Sequence, residues 1–133
     1  MTTYDEKTAR AVVEQIQAAV DESIGTGRPD PLLQCFDATA AVLIGTSSYR
    51  AGAEAMQEYF SALAAENTLL HWDLDHPDVF LSESDVIGFS ATGHVEWADE
   101  EESGREPFRL TIVARRREQA WSVLHFHGSI PQS

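Results

Sequence analysis

The sequence predicts an α+β fold in which helices pack on one face of a curved antiparallel sheet. In the first half of the chain, apolar residues recur at three- and four-residue spacing, which is typical of amphipathic helices. From residue 67 onward, apolar and polar residues alternate, which is typical of half-buried strands. No repeat or linker separates the two halves, so we expect residues 1–133 to form a single domain.

The composition limits the classes of partner. The chain has 133 residues, of which 43% are hydrophobic, enough to build a core. Its formal net charge of −13 repels phosphate backbones and anionic lipid, so we expect no nucleic acid and no membrane among its partners. Cys35 is the only cysteine, and a buried thiol is favoured over a nucleophile because no basic residue lies beside it. The polar N-terminal segment does not resemble a signal peptide, which favours a cytoplasmic protein.

Two helices are predicted before the first strand. Residues 4–24 carry one apolar stripe, and Thr3 or Asp5 is placed to cap its start. A short second helix follows, with Asp30 placed as its cap and Pro31 in its first turn.

Two short strands and a third helix come next. Residues 40–45 are predicted to form an apolar strand, and Tyr49 and Arg50 a second short one. Gly52 precedes a helix with an apolar stripe over residues 53–64.

Four longer extended segments complete the chain. Residues 69–81 are predicted to be extended, with a bend, bulge or sheet edge at Pro77. Strands are then predicted over residues 86–97, 108–116 and 121–129.

The last strand carries the most chemistry. Alternation along a strand places Trp121, Val123, His125, His127 and Ser129 on one face, which runs from apolar to ionisable. We expect such a face to begin in a core and to end at the mouth of a pocket. Because an imidazole titrates near neutral pH, His127 and His125 are candidate catalytic acids or bases. The alternative, two structural histidines that are hydrogen-bonded to backbone, stays open.

The sequence gives no complete metal site. The two histidines would need a third ligand, and His71, Asp73 or Asp75 could supply one, but nothing fixes their geometry. The acidic residues 99–104 are predicted to form a solvated turn. We therefore predict no metal and no cofactor.

The segment around Trp72 has two possible orientations. The simpler one buries Trp72 and Leu74 and exposes Asp73 and Asp75. A bulge near Pro77 would reverse these faces.

Four segments resemble the nuclear-transport-factor-2-like superfamily, and more closely its SnoaL-like branch and the association domain of calcium/calmodulin-dependent protein kinase II. They are Gly52 with Tyr59-Phe60, His76-Pro77-Asp78-Val79-Phe80-Leu81, Ser84-Asp85-Val86-Ile87, and the ending from Trp121 to Ser129. The resemblance implies a cone-shaped curved antiparallel sheet packed on three N-terminal helices, with a pocket at its open end. It also implies a homodimer or higher homo-oligomer that forms through the sheet. Members include ketosteroid isomerase, scytalone dehydratase and polyketide cyclases, while others only bind ligands or self-associate.

The chain departs from this family in two places. Gly93 and Ile112 stand where the kinase association domain projects arginines into its pocket, so we expect a more apolar pocket. Residues 43–46, where the isomerase has its carboxylate base, contain neither Asp nor Glu.

We therefore predict a pocket protein that binds a small apolar molecule. The predicted ligand-binding residues are Tyr59, Phe89, Trp97, Trp121 and Ser129. Two functions remain open. One is a cofactor-free isomerase, dehydratase or cyclase that uses the histidines, and the other is a non-catalytic self-association or ligand-binding module.

Overall fold

A computed structural model describes residues 4–37, 41–46 and 48–131. The helices are α1 (Glu6–Thr26), α2 (Asp30–Cys35) and α3 (Ala53–Ala65). The strands are β1 (Val42–Ile44), β2 (Tyr49–Ala51), β3 (Leu69–Leu74), β4 (Asp78–Glu83), β5 (Val86–Ala98), β6 (Ser103–Arg117) and β7 (Ala120–Ser129). Thr3 and Ala40, which the predictions above include, lie outside the described residues.

The helix boundaries follow from their caps. The Asp5 carboxylate accepts the Thr8 backbone N–H at 3.1 Å and so begins α1. Gly27 ends α1 in the left-handed conformation, at φ 71°, which glycine adopts at little steric cost. Asp30 is the first residue of α2 and not its cap, because Pro29 occupies the cap position and makes no side-chain capping bond.

The sheet has seven strands and confirms the predicted α+β class. The strand order is β2-β1-β7-β6-β5-β3, and β4 also pairs with β5. The β1–β7 pair is parallel, so the sheet is mixed where an antiparallel one was expected. This is possible because β1 and β7 are far apart in the chain and need no hairpin between them.

Strands β3 and β4 are separated by residues 75–77. The two strands pair with successive parts of β5, and the Asp75 N–H donates to the Thr92 carbonyl between them at 2.8 Å. A Cβ on Gly93 would lie 2.3 Å from the Asp73 carbonyl oxygen, so only glycine lets β3 approach β5 this closely. The expected irregularity near Pro77 is confirmed, and a bulge follows at Phe80.

Two glutamines join α1 to separate parts of the sheet. The Gln17 side chain donates to the Leu70 carbonyl at 2.8 Å and accepts the Trp72 N–H at 3.0 Å on the edge strand β3. The Gln15 side chain makes the same two kinds of bond with the Trp121 carbonyl and N–H on β7, at 2.7 and 3.2 Å. These bonds satisfy backbone groups that have no strand partner, and they fix the spacing between α1 and the sheet.

The core lies between the helices and the face of the sheet that packs on them, which we call the inner face. Its fully buried side chains are Val12, Ile16, Leu32, Ile87, Phe89, Leu110, Ile112 and Val123. The predicted apolar face of residues 86–97 is this inner face of β5. The opposite, outer face of the sheet has no helix packed on it in the described part of the chain.

Candidate ligand-binding cavity

A cavity of about 430 Å³ lies between the helices and the inner face of the sheet. Its aliphatic lining includes Ile16, Val20, Leu32, Leu43, Leu63, Leu70, Val95 and Ile130. Its aromatic lining comprises Phe36, Tyr59, Phe60, Trp72, Trp97, Phe108 and Phe126. The interior is therefore suited to a small apolar molecule.

Three aromatic rings from three strands form one wall. Trp72 is stacked on Phe108, with ring centroids 6.3 Å apart and planes 13° apart, and Phe126 lies 5.7 Å from Trp72. Gly128 makes room for this arrangement, because a Cβ there would lie 2.6 Å from the Phe108 ring. The position of the Phe108 ring on β6 thus depends on a glycine in the neighbouring strand β7.

Among the described residues, one carboxylate lines the cavity, that of Glu106. Glu106 lies opposite Val95 and on the same face as Phe108, because β6 alternates regularly here. Trp97 covers Gly104, whose Cβ would lie 2.6 Å from the indole ring. Within the described ranges, the exposed Glu106 side chain makes no hydrogen bond or ion pair.

Tyr59 supplies a phenol to the same lining. Burial raises its pKa, and the nearby Glu66 carboxylate raises it further, while the Arg50 guanidinium opposes both effects. Arg50 lies over the ring, 5.9 Å from its centroid. The phenol therefore stays neutral at neutral pH and is able to donate or accept a hydrogen bond.

A bulge at Leu124 interrupts the alternation that was expected along the last strand. Val123 pairs with Ala114, and His125 pairs with Val113, so β6 has no partner for the residue between them. Val123 and Phe126 face inward, whereas His125 and His127 face the outer side. Relative to the unbroken alternation that was predicted, the single extra residue reverses the direction of the side chains that follow it in the strand.

The two histidines therefore do not line the cavity. His127 lies opposite Thr111 and borders a shallow groove on the outer face, together with His76, Asp78 and Arg109. A proton transfer from either imidazole to a ligand inside the cone would have to cross the sheet. The catalytic role of His127 and His125 stays a prediction that this geometry does not favour.

The five predicted ligand-binding residues are divided between different regions. Tyr59 and Trp97 line the cavity. Phe89 is fully buried in the core and does not reach the cavity. Trp121 packs edge-on against Tyr4, with ring centroids 5.1 Å apart, and the buried Ser129 accepts the Arg109 Nε–H at 3.2 Å. Trp121 and Ser129 therefore stabilise neighbouring parts of the fold and do not line the cavity.

The simpler orientation of β3 is confirmed. Trp72 and Leu70 line the cavity, and Leu74 packs against the core. Asp73 lies on the outer face, where it accepts from Arg105 at 3.0 Å. No carboxylate from β3 therefore joins the cavity.

Sequence reasoning did not identify Glu106. The strand that corresponds to β6 was predicted to begin at Phe108, but β6 begins at Ser103. Pro107 is tolerated because β7 pairs only as far as Arg109, so this part of β6 has β5 on one side alone. Extending the alternation of Phe108 and Leu110 by one step would have placed Glu106 on the inner face.

Other reactive groups in the part of the chain that the structure describes do not assemble into a second site. Cys35 is buried, and burial raises its pKa more than the bond from the Gln15 amide lowers it. No cluster of three or more metal-binding side chains occurs within residues 4–37, 41–46 and 48–131. None of the helices in these ranges is long and apolar enough to cross a membrane.

Comparison with known proteins identifies one family profile. The profile described as a SnoaL-like domain matches residues 12–133, which is most of the chain. A search of curated proteins found no match.

Solved structures share the fold at low sequence identity. A provisional calcium/calmodulin-dependent protein kinase II association domain from Xanthomonas campestris has a TM-score of 0.77 and 19% identity, covering 100% of this chain and 99% of that one. The β subunit of benzoate 1,2-dioxygenase from Burkholderia mallei has a TM-score of 0.80 and 13% identity, covering 98% and 93%. A provisional dehydratase of the NTF2-like family from Streptomyces avermitilis has a TM-score of 0.69 and 17% identity, covering 94% and 99%.

Proposed function

The chain belongs to the SnoaL-like domain family, and on that premise we propose that it binds a small, largely apolar ligand inside its cone. The observation that carries this proposal is the cavity of about 430 Å³ with its aliphatic and aromatic lining. This volume falls within the range of roughly 300–1,000 Å³ that is usual for small-molecule sites. Transfer of apolar ligand surface from water into such a space supplies the driving force.

The positions of the two histidines favour ligand binding over the acid–base reaction that was expected of them. The cofactor-free acid–base reaction considered above relied on His127 and His125, and both imidazoles lie on the outer face. The neighbour from S. avermitilis is classed provisionally as a dehydratase, but its 17% identity carries only the fold. We therefore propose that the protein binds a small molecule and does not use the two histidines for acid–base catalysis.

We also propose that the protein forms a homodimer through the outer face of its sheet. Phe80 is 60% exposed there, and its ring lies over Gly88. Val113 is paired with Gly88 on the same face. A second copy would cover this apolar surface, which is otherwise open to water.

The cavity proposal is tested with the neutral dye N-phenyl-1-naphthylamine, which fluoresces in apolar surroundings. Leu63→Trp places a large side chain in the lining, and Ala11→Trp adds the same side chain at an exposed position of α1. We expect the wild type and Ala11→Trp to bind the dye, and Leu63→Trp to lose about tenfold or more in affinity. Circular dichroism verifies that each variant is folded. Equal affinity of all three proteins would contradict the proposal.

A further inference from the structure

We propose that Glu106 makes the cavity selective for ligands that carry a protonated amine on an apolar body. This inference rests on the proposed function, because it concerns the ligand of the same cavity. It adds the chemical class of that ligand and names the side chain that recognises it.

Glu106 is an exposed residue that also lines the cavity. It lies opposite Val95 on the inner face of β6. Strand β7 ends at Ser129, which pairs with Arg109, so Glu106 lies three residues beyond the last β6–β7 pair. The carboxylate is therefore close to water while it faces the apolar interior, as expected for a group that binds the polar end of an inserted ligand.

The negative charge of Glu106 is not compensated by neighbouring side chains in the described part of the chain. Arg105 precedes it in sequence but faces the outer side, where it pairs with Asp73 at 3.0 Å and with Glu96 at 3.8 Å. Arg50 lies over the Tyr59 ring and is not part of the cavity lining. Glu106 is also the only charged side chain among the described residues that line the cavity, so its negative charge should favour a cationic ligand there.

Aromatic rings flank this carboxylate along the strand. Trp97 covers Gly104, two residues before Glu106, and Phe108 lies two residues after it, stacked on Trp72. The faces of such rings attract an ammonium group at separations of up to about 6 Å. A carboxylate forms charge-assisted hydrogen bonds with the same group, so both features favour an amine and disfavour an anion.

The test uses two ligands that share a ring and differ in charge. These are 1-naphthylmethylamine, which is protonated at neutral pH, and 1-naphthylacetate, which is ionised. Calorimetric titration at low salt should show that the wild type binds the amine at least about tenfold more tightly than the acetate. Glu106→Gln should weaken the amine about five- to tenfold and strengthen the acetate, because the charge is removed while the shape is kept.

A matched control separates local recognition from the overall charge of the protein. Glu102→Gln removes the same charge from the exposed loop that precedes β6. We expect this variant to bind both ligands as the wild type does. Equal shifts in Glu102→Gln and Glu106→Gln, or no preference for the amine in the wild type, would overturn the inference.

The neutral dye distinguishes this inference from the proposed function. If the dye binds the wild type and Glu106→Gln equally, the cavity and the fold of the variant are intact. A lack of amine preference then counts against Glu106 alone. If the dye does not bind the wild type, the proposed cavity function fails, and the inference fails with it.

Discussion

Phe126 and His127 are neighbours in the chain but face opposite sides of the sheet. Phe126 pairs with Ile112 and lines the cavity, whereas His127 pairs with Thr111 on the outer face. The bulge at Leu124, two residues before Phe126, determines that Phe126 faces inward and His127 faces outward. The side of the sheet on which ligand binds therefore determines which of the two side chains is able to touch it.

The two histidines should be dispensable for binding in the cavity. His127→Ala and His125→Ala are expected to change the dissociation constant of N-phenyl-1-naphthylamine by less than about twofold, because neither imidazole reaches the interior. Fluorescence titration measures this effect, and Leu63→Trp shows that the assay responds to the cavity. A tenfold loss in either histidine variant would place the site on the outer face instead.

A side chain at Gly128 should destabilise the fold. Gly128→Ala forces the Phe108 ring to move, since a Cβ would lie 2.6 Å from it, and we expect a loss of about 1–3 kcal/mol in the free energy of unfolding. Gly25→Ala is the matched control in α1, where a Cβ meets nothing within 4 Å. It should stabilise the protein by about 0.5–1 kcal/mol. Urea unfolding of both variants tests the contrast, and equal effects would contradict the packing described here.

Gln17 should contribute to stability through its two bonds to β3. Gln17→Ala leaves the Trp72 N–H and the Leu70 carbonyl without this partner, and we expect a cost of about 1–3 kcal/mol. Hydrogen exchange at the Trp72 amide should quicken. Gln57→Ala, at an exposed position of α3, is expected to leave both measurements unchanged. Similar behaviour of the two variants would show that the edge bonds do not stabilise the fold.

Cys35 should be unreactive in the folded protein. Burial raises its pKa, so the thiol stays protonated at mildly alkaline pH, where an unfolded chain has already begun to release its proton. The resulting contribution to stability is present below the ordinary thiol pKa and is lost as the pH rises through the raised value. Modification by 5,5′-dithiobis(2-nitrobenzoate) at pH 8 should be slow in buffer and rapid in urea. Equally rapid modification in both would indicate an accessible thiolate.

Phe80 should control dimer formation if the outer face is the interface. Phe80→Glu places a charge on the exposed apolar surface over Gly88, and we expect it to shift the protein toward the monomer in native mass spectrometry. Ala11→Glu adds the same charge on the helical side of the molecule, at an exposed position of α1, and should leave the assembly unchanged. A dimer that resists Phe80→Glu would contradict assembly through this face.

Local patterns were sufficient for the elements and for much of the core. The alternation on β5 correctly assigned its inner face because the register of β5 with β6 is regular over its whole length. The same reasoning gave the wrong face for His125 and His127. A bulge arises from a mismatch in length between paired strands, and the apolar Leu124 gives no local sign of it.

Two other features depend on contacts between distant segments. Gln15 and Gln17 resemble ordinary surface residues beside the apolar stripe of α1, but each bonds to strand backbone more than 50 positions away. Glu106 was missed because the strand was predicted to begin at Phe108, whereas β6 begins at Ser103 and includes Pro107. Only the position at which β7 ends shows why a proline is tolerated there.

A two-dimensional NMR titration with N-phenyl-1-naphthylamine tests the central claim most directly. The indole N–H signals of Trp72 and Trp97 report on the cavity, and the imidazole signals of His125 and His127 report on the outer face. Ligand binding inside the cone should shift both indole signals and leave both imidazole signals in place. Shifts confined to the imidazoles would contradict the proposed site.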